Sequence, residues 1–362
     1  AELYTEPLDR AVPLWELWLV DGLADGRVGI VEKIHHALID GISGVELAAA
    51  IFDAQPDPPD DDSLDETRYV ADPSAEQRAA DALVEQVVDP IETAGRVGAS
   101  MLRSPSDVVE QVNSIVASIR DVARIGAKAP ETSFNNSIGR RRALRAIPLD
   151  LDVVHAARAP HHATVNDLVL ATIAGAMRRW MLESGDPLVD VHVFAPMSTR
   201  HDSMGAEPGN RVGGMLVELP VGEDDPIWRL ELVKSRMARL KQQHEGESVA
   251  AVFDALDHLP AFGYGAVLRM LSAQPLVNFV VTNLPGPRDP LFFLGDRIEQ
   301  MIPVVPLGMQ MGLGVAVLSY LDRLTVTLFA DPDACHDIDL LADAIADEFD
   351  SLVEALRSDA AH

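Results

Sequence analysis

The sequence predicts an α+β fold of layered strands and helices, and three observations carry that prediction. Two pairs of strand-like runs, Trp15–Val20 with Gly29–Ile34 and 314–320 with Arg323–Ala330, are each joined by turn residues, the pattern of antiparallel hairpins. Helix-patterned segments at 165–183, 227–244 and 337–356 stand beside further strands without the regular alternation that marks a βαβ series. With 362 residues, 48% of them hydrophobic, the chain can bury a large core, and its length implies two domains.

In chain order, 28–34 is an apolar run that reads as a strand and pairs with 15–20 across Asp21-Gly22 and Asp25-Gly26. After Gly41, 43–54 has helical spacing, with Ser43 placed to cap it. The Asp/Pro-rich run 53–66 has no basic residue and reads as a solvated linker. Residues 75–127 are Ala/Val-rich with helical periodicity, enough for two or three helices. A second globular half begins near Phe134. There, 165–183 is an amphipathic helix with Thr164 as its cap, 189–196 and 212–220 are strands, and 227–244 is a charged amphipathic helix. The region 248–274 is more apolar and helical, interrupted by Pro260 and glycines. The run 276–282 reads as a buried strand that ends in Asn283-Leu284-Pro285-Gly286-Pro287, a turn by composition. A hairpin around Asp322 and a helix at 337–356 close the chain.

Composition removes several function classes. The 57 acidic residues outweigh 29 basic ones, a net charge of −28, which argues against nucleic-acid binding and against broad docking to anionic lipid. The first ten residues are polar, so no signal peptide is expected there, and no membrane-spanning segment is expected. A single cysteine, Cys335, excludes an internal disulfide and a Cys-rich metal cluster, which suits a reducing cytosol. Basic residues cluster at Arg140-Arg141-Arg142 with Arg145 and at Arg178-Arg179, either as solvated surface or as phosphate contacts.

The chemistry concentrates in His35-His36-Ala37-Leu38-Ile39-Asp40-Gly41, directly after a strand. Histidine takes and returns a proton near neutral pH, so one placed at a strand end with a carboxylate and a turn beyond it suits a general base. Adjacent strand residues face opposite ways, so one metal rarely takes both histidines, and no metal site is expected. No Gly-x-Ser-x-Gly elbow is present. Gly312-x-Gly314 lacks the third glycine of a dinucleotide loop and reads as hairpin packing. His161-His162 reads as surface. From the residues alone, proton transfer and core packing both remain open for His35 and His36.

The stretch matches the His-His-x-x-x-Asp-Gly motif of the acyl-CoA-dependent acyltransferase superfamily. More narrowly, the chain resembles the bacterial wax ester synthase/diacylglycerol acyltransferase family, through Pro13-Leu14-Trp15-Glu16, Asn166-Asp167, Gly209-Asn210-Arg211 and Asn283-Leu284-Pro285-Gly286-Pro287 in family order. The resemblance implies two chloramphenicol-acetyltransferase-like subdomains. Residues 1–53 would be the C-terminal part of the first, 54–133 an acidic linker and helical connector, and 134–362 the second. The family places a substantial segment ahead of Pro-Leu-Trp-Glu, and on domain-size arithmetic about a hundred residues of the first half are expected elsewhere, the sequence being either a fragment or one of two chains. A companion polypeptide completing the fold is therefore expected, because a half-domain leaves sheet edges and apolar surface open.

The resemblance further implies direct transfer of a long-chain fatty acyl group from acyl-CoA to diacylglycerol or a fatty alcohol. No acyl-enzyme forms, and acyl-CoA is a co-substrate rather than a cofactor. By the motif match His36 is the general base, and His35, on the opposite face, packs or positions its neighbour. Asp40 is structural by family likeness, pairing with an arginine for which Arg200 is the candidate, and Gly41 permits the turn. The oxyanion of the tetrahedral intermediate needs a donor, for which Asn166 at a helix start is the first candidate, against a role as a simple first-turn residue. Asp167 fits a structural role, and Asn283 either lines the channel or shapes the Pro-Gly-Pro turn. A cytoplasmic protein with peripheral contact to membrane or lipid droplets is expected. Two other readings share the motif or the apolar surface: a carrier-protein-dependent condensation-type acyltransferase, and a non-catalytic lipid-surface protein.

Overall fold

Strand periodicity sorts most of the apolar residues of the second half onto the two faces of one mixed sheet. The computed structural model of the chain describes residues 1–35, 38, 51–58, 129–198, 212–242, 277–308 and 310–360. The two halves of the fold hold β1 (Trp15–Val20) and β2 (Gly29–Ile34), then β3 (Ala143–Asp150), β4 (Val191–Ser198), β5 (Val212–Leu219), β6 (Phe279–Leu284), β7 (Phe292–Phe293), β8 (Asp296–Arg297), β9 (Leu313–Tyr320) and β10 (Arg323–Ala330). Six of these form a sheet in the order β3-β10-β9-β6-β4-β5. β6 runs parallel to both neighbours, and the other pairings are antiparallel.

One face of the sheet is covered by helices. Phe279 and Val281 of β6, Val315 and Val317 of β9, and Leu324, Val326 and Leu328 of β10 alternate onto that face and are buried there. Packed on them are α1 (Leu151–Arg158), α2 (Val165–Ser184), α3 (Pro226–Gln242) and α4 (Ile338–Asp359). Expected to be amphipathic, α2 is instead buried without a break from Asp167 to Met177, because it lies against the sheet with α3 and α4 on its other sides. It starts at a Thr164 capping box and stops at Gly185, whose φ of +77° suits glycine.

The second face is buried as well. The chain around 291–308 crosses it, where the Tyr320 hydroxyl accepts from the Leu291 N–H at 2.9 Å and donates to the Ile298 carbonyl at 3.0 Å. Gly314 admits Val305, whose Cγ1 would lie 2.6 Å from any Cβ there, and Gly312 packs on Ala334 and Phe134 in the same way. The Gly-x-Gly pair is therefore a close-packing device.

β1 and β2 form a separate antiparallel hairpin, Trp15 opposite Ile34 and Val20 opposite Gly29. Its loop turns through Gly22 and Gly26, both at positive φ. Trp15, Leu17, Trp18 and Leu19 on β1 are exposed.

Several sequence expectations shift. β3 and α1 were not anticipated. β3 alternates weakly because it is an edge strand with Arg145, Pro148 and Asp150 exposed, and an edge tolerates a proline that cannot donate. The strand expected at 276–282 lies at Phe279–Leu284, so Asn283 and Leu284 belong to β6 rather than to the turn. Asp53, expected in a solvated linker, exchanges two 2.8 Å backbone bonds with Phe292, and Phe52 packs edge-on against Phe293. The segments 43–50, 75–127 and 248–274 lie outside the described residues.

Candidate active site

The β1–β2 hairpin delivers the histidine motif. His35 immediately follows β2, and its N–H donates to the Leu14 carbonyl at 2.9 Å, extending the ladder one step beyond the strand. Leu38 N–H then donates back to the His35 carbonyl at 2.9 Å, so the chain turns at once. His36, Asp40, Gly41 and Arg200 lie outside the described residues.

Two side chains, Tyr4 and Lys33, brace this hairpin. The Tyr4 ring packs edge-on against Phe329 of β10 with centroids 5.5 Å apart, and its hydroxyl donates to the Glu32 carbonyl at 3.3 Å. Lys33 Nζ donates to the Leu3 carbonyl at 3.0 Å, to the Glu6 carbonyl at 2.5 Å and to Glu16 Oε2 at 3.4 Å. Burial raises the pKa of Tyr4, reinforced by the Glu32 charge, and burial alone raises that of Glu32. Sequence reasoning singled out neither Tyr4 nor Lys33. Their signal was faint: an isolated aromatic, and a lone cation beside Glu32 on a short strand.

Asn166 and Asn283, separated by 117 positions, meet at the edge of the core. Asn283 sits near the carboxyl end of β6 and Asn166 in the first turn of α2, and Asn283 Nδ2 donates to Asn166 Oδ1 at 3.4 Å. Asp167 is turned the other way. Its Oδ2 accepts from the Thr164 N–H at 2.8 Å and the Thr164 hydroxyl at 2.7 Å, while Thr164 Oγ1 accepts from the Asp167 N–H at 3.1 Å. The Pro-Gly-Pro turn beyond Asn283 is held separately. Gly286 N–H donates to Ser319 Oγ at 3.2 Å, and a Cβ at 286 would lie 2.0 Å from the Ser319 carbonyl oxygen.

Three arginines of the basic clusters pair with carboxylates. Arg141 pairs with Asp333, Arg145 with Asp339, and Arg179 with both Asp347 and Glu183. Arg178 donates to the Gly222 carbonyl at 2.9 Å. These contacts brace the second half. His161, expected at the surface, is half-buried: its Nε2 lies 3.0 Å from the Leu356 carbonyl and its own carbonyl accepts from Lys234 Nζ at 2.7 Å. Among the described residues no cluster of three His, Cys, Asp or Glu side chains is placed to hold a metal ion. None of the described helices is long and apolar enough to cross a membrane.

Comparison with known proteins gives the family. Residues 1–169 match the wax ester synthase/diacylglycerol acyltransferase catalytic domain and residues 208–353 match the WS/DGAT C-terminal domain. A probable diacylglycerol O-acyltransferase of Mycobacterium tuberculosis is 32% identical over 366 residues, covering 98% of this chain and 74% of that protein. Among solved structures, the fold is shared with the wax ester synthase/diacylglycerol acyltransferase of Marinobacter aquaeolei VT8 (TM-score 0.64, 21% identity, 100% of this chain and 75% of that one). It is also shared with a nonribosomal peptide synthetase, FmoA3 (TM-score 0.56, 17% identity, 98% of this chain and 36% of that one). The chain is an acyltransferase and belongs to the wax ester synthase/diacylglycerol acyltransferase family.

Proposed function

We propose that the chain transfers a long-chain acyl group from acyl-CoA to the hydroxyl of diacylglycerol or a fatty alcohol, with His36 as the general base. The observation that supports this most directly is the placement of the His-His-x-x-x-Asp-Gly stretch immediately beyond β2, on a hairpin braced against the sheet through Tyr4 and Phe329. A thioester is already electrophilic, so the barrier lies in activating a neutral hydroxyl. A neutral imidazole within hydrogen-bond reach takes that proton as the oxygen attacks, for a gain of roughly 10²–10⁴-fold. The thioester carbonyl becomes a tetrahedral oxyanion that accepts from the Asn166 amide. The intermediate collapses with loss of the CoA thiolate, and His36 returns its proton to that sulfur. No acyl-enzyme and no cofactor enter the sequence. Asp40 is assigned to hold the loop through an arginine, with Arg200 as the candidate, Gly41 to allow its turn, and His35 to pack beside or position its neighbour. Asp167 fixes the helix start.

The reading extends to partners. Trp15, Leu17, Trp18 and Leu19 give the hairpin an exposed apolar surface on a two-stranded sheet, which supports a companion polypeptide adding strands there. Peripheral contact with a membrane or lipid droplet, in the cytoplasm, is part of the same proposal.

Release of CoA thiol from a long-chain acyl-CoA, dependent on added diacylglycerol or fatty alcohol and lost in His36→Ala, is the expected result. Retention of wild-type turnover in His36→Ala overturns the general-base assignment. Transfer from a carrier-bound acyl group but not from acyl-CoA would select the condensation-type alternative, and lipid binding without any transfer the non-catalytic one.

A further inference from the structure

Two apolar stripes end in asparagine at the same edge of the core. On β6, Phe279 and Val281 face the helices and are buried, and the next residue of that parity is Asn283. Its neighbour in register on β9, Val317, lies on the same face. On α2 the buried stripe of Ile173, Leu170 and Val169 runs toward the N-terminus and ends, three to four residues on, at Asn166. Packing alone favours an apolar side chain at both positions, because an amide placed beside a core loses hydration that only hydrogen bonds restore. The two amides instead face each other, with Asn283 Nδ2 donating to Asn166 Oδ1.

That bond has a direction with a consequence. A carboxamide carries its acceptor and its donors on opposite sides, so an oxygen held toward β6 turns the Asn166 NH2 away from the strand. Among the described residues nothing accepts from that NH2. The same turn of α2 presents backbone N–H groups that have no intrahelical partner, at the positive end of the helix dipole. A terminal amide torsion is broad and nearly two-fold, so an unrestrained Asn166 presents its oxygen about as readily as its nitrogen. An oxygen facing a developing oxyanion repels it, and the benefit of an oxyanion donor depends on its being oriented beforehand.

We propose that Asn283 is a positioning residue for acyl transfer: by donating to Asn166 Oδ1 it locks the Asn166 carboxamide with its N–H donors facing the thioester oxygen. Asn283 does not itself touch the reacting atoms. The proposal rests on the assignment of Asn166 as oxyanion donor made above, and the experiment separates the two.

kcat and KM for a long-chain acyl-CoA at fixed acceptor are measured for Asn166→Ala, Asn283→Leu, Asn283→Asp, Asn283→Gln and the double variant Asn166→Ala/Asn283→Asp, with a thermal melt of each. Asn166→Ala is expected to lower kcat on the order of 10²-fold, the cost of one oxyanion donor. A carboxylate at 283 only accepts, so Asn283→Asp draws the Asn166 NH2 toward the strand and is expected to approach that loss with KM nearly unchanged. Asn283→Leu, of similar volume but without a donor, falls between, and Asn283→Gln, which keeps the amide, recovers part of kcat. In the Asn166→Ala background Asn283→Asp adds nothing further. Wild-type kcat in Asn283→Leu and Asn283→Asp alongside a depressed Asn166→Ala overturns the positioning role, as do multiplicative losses in the double variant. Wild-type kcat in Asn166→Ala overturns the oxyanion assignment and the positioning role with it. Should Asn283→Asp melt early, Asn283→Leu, which introduces no charge, decides the matter.

Discussion

Arg229 Nη2 donates to Glu348 Oε2 at 2.6 Å in the space that a side chain at position 175 would fill. The pair joins α3 to α4 across the middle of α2, and Arg229 Nη1 also reaches the Glu223 carbonyl at 3.0 Å. Arg229 is 2% exposed, and burial lowers its pKa against the opposing pull of Glu348. A glycine inside a helix ordinarily costs about 1 kcal/mol relative to alanine. Here a Cβ would lie 2.2 Å from Glu348 Oε2 and 2.6 Å from Arg229 Nη2, so the close approach decides the residue.

Gly175→Ala is therefore expected to destabilise the protein despite its gain in helix propensity. Separating a buried pair leaves a desolvated guanidinium, and about 3 kcal/mol is expected, the low end for buried pairs because Glu348 keeps 24% side-chain exposure. A fall in the urea midpoint at constant m-value is the measurement. A midpoint that rises, as propensity alone dictates, counts against this account.

The Thr164–Asp167 capping box separates helix stability from chemistry. Thr164→Ala and Asp167→Ala are each expected to cost about 1–2 kcal/mol, and the double variant little more, since both remove the same reciprocal bonds. Enzyme that remains folded should keep its kcat, whereas Asn166→Ala, one position away, should lose kcat with its melt intact. Thermal melts paired with initial rates test this. A kcat loss in Thr164→Ala as large as that in Asn166→Ala would show that the two residues do not act separately.

Local chemistry made some of these features legible in the sequence and long-range pairing hid the others. The β1–β2 and β9–β10 hairpins carry period-two patterns and turn residues within a few positions of one another, and α2 announces itself through Thr164, Asp167 and Gly185. β3 did not, because its exposed Arg145 and Pro148 make sense only once β10, nearly two hundred residues away, pairs with it. Arg145, Arg141 and Arg179 read as a basic surface until Asp339, Asp333 and Asp347 were brought beside them by α4 and the turn before it. The histidine motif was visible as a string of residues, and so were Asn166 and Asn283 singly. That the two asparagines touch depends on where β6 ends relative to α2, which neither local pattern encodes.

Tyr4 offers a handle on how the hairpin is held. Edge-on aromatic pairs contribute about 0.5–1.5 kcal/mol beyond burial, enough to bias a hairpin whose other described contacts are few. Tyr4→Ala is expected to lower acyl transfer severalfold while shifting the global melt little, because the six-stranded sheet does not depend on it. Tyr4→Phe keeps the ring on Phe329 and loses only the bond to the Glu32 carbonyl, and should stay near wild type. Limited proteolysis provides the structural readout, with cleavage in the first 34 residues accelerating in Tyr4→Ala. Equal activity in Tyr4→Ala and wild type would mean that the histidine motif does not rely on this contact.

Cys335 gives a pH test with a definite sign. The thiol is 1% exposed, its backbone N–H donates to the Asp331 carbonyl at 2.8 Å, and burial pushes its pKa up from 9.0 to about 12, with Asp186, Asp331 and Asp337 adding to the rise. Below pH 9 the thiol is protonated in both folded and unfolded chains, so its contribution to stability is fully present. Above pH 9 the unfolded chain releases the proton while the folded one retains it, so that stability drains away as pH climbs toward 12. Subtracting the alkaline stability curve of Cys335→Ala from that of wild type cancels the lysines and tyrosines common to both. The difference should be flat below pH 9 and fall from there. Consistent with a buried, protonated thiol, native protein at pH 8 should react with an aromatic disulfide reagent only as fast as it opens, and at once in urea. Rapid labelling of the native protein, or a difference curve flat through pH 11, would place the thiol in contact with water after all.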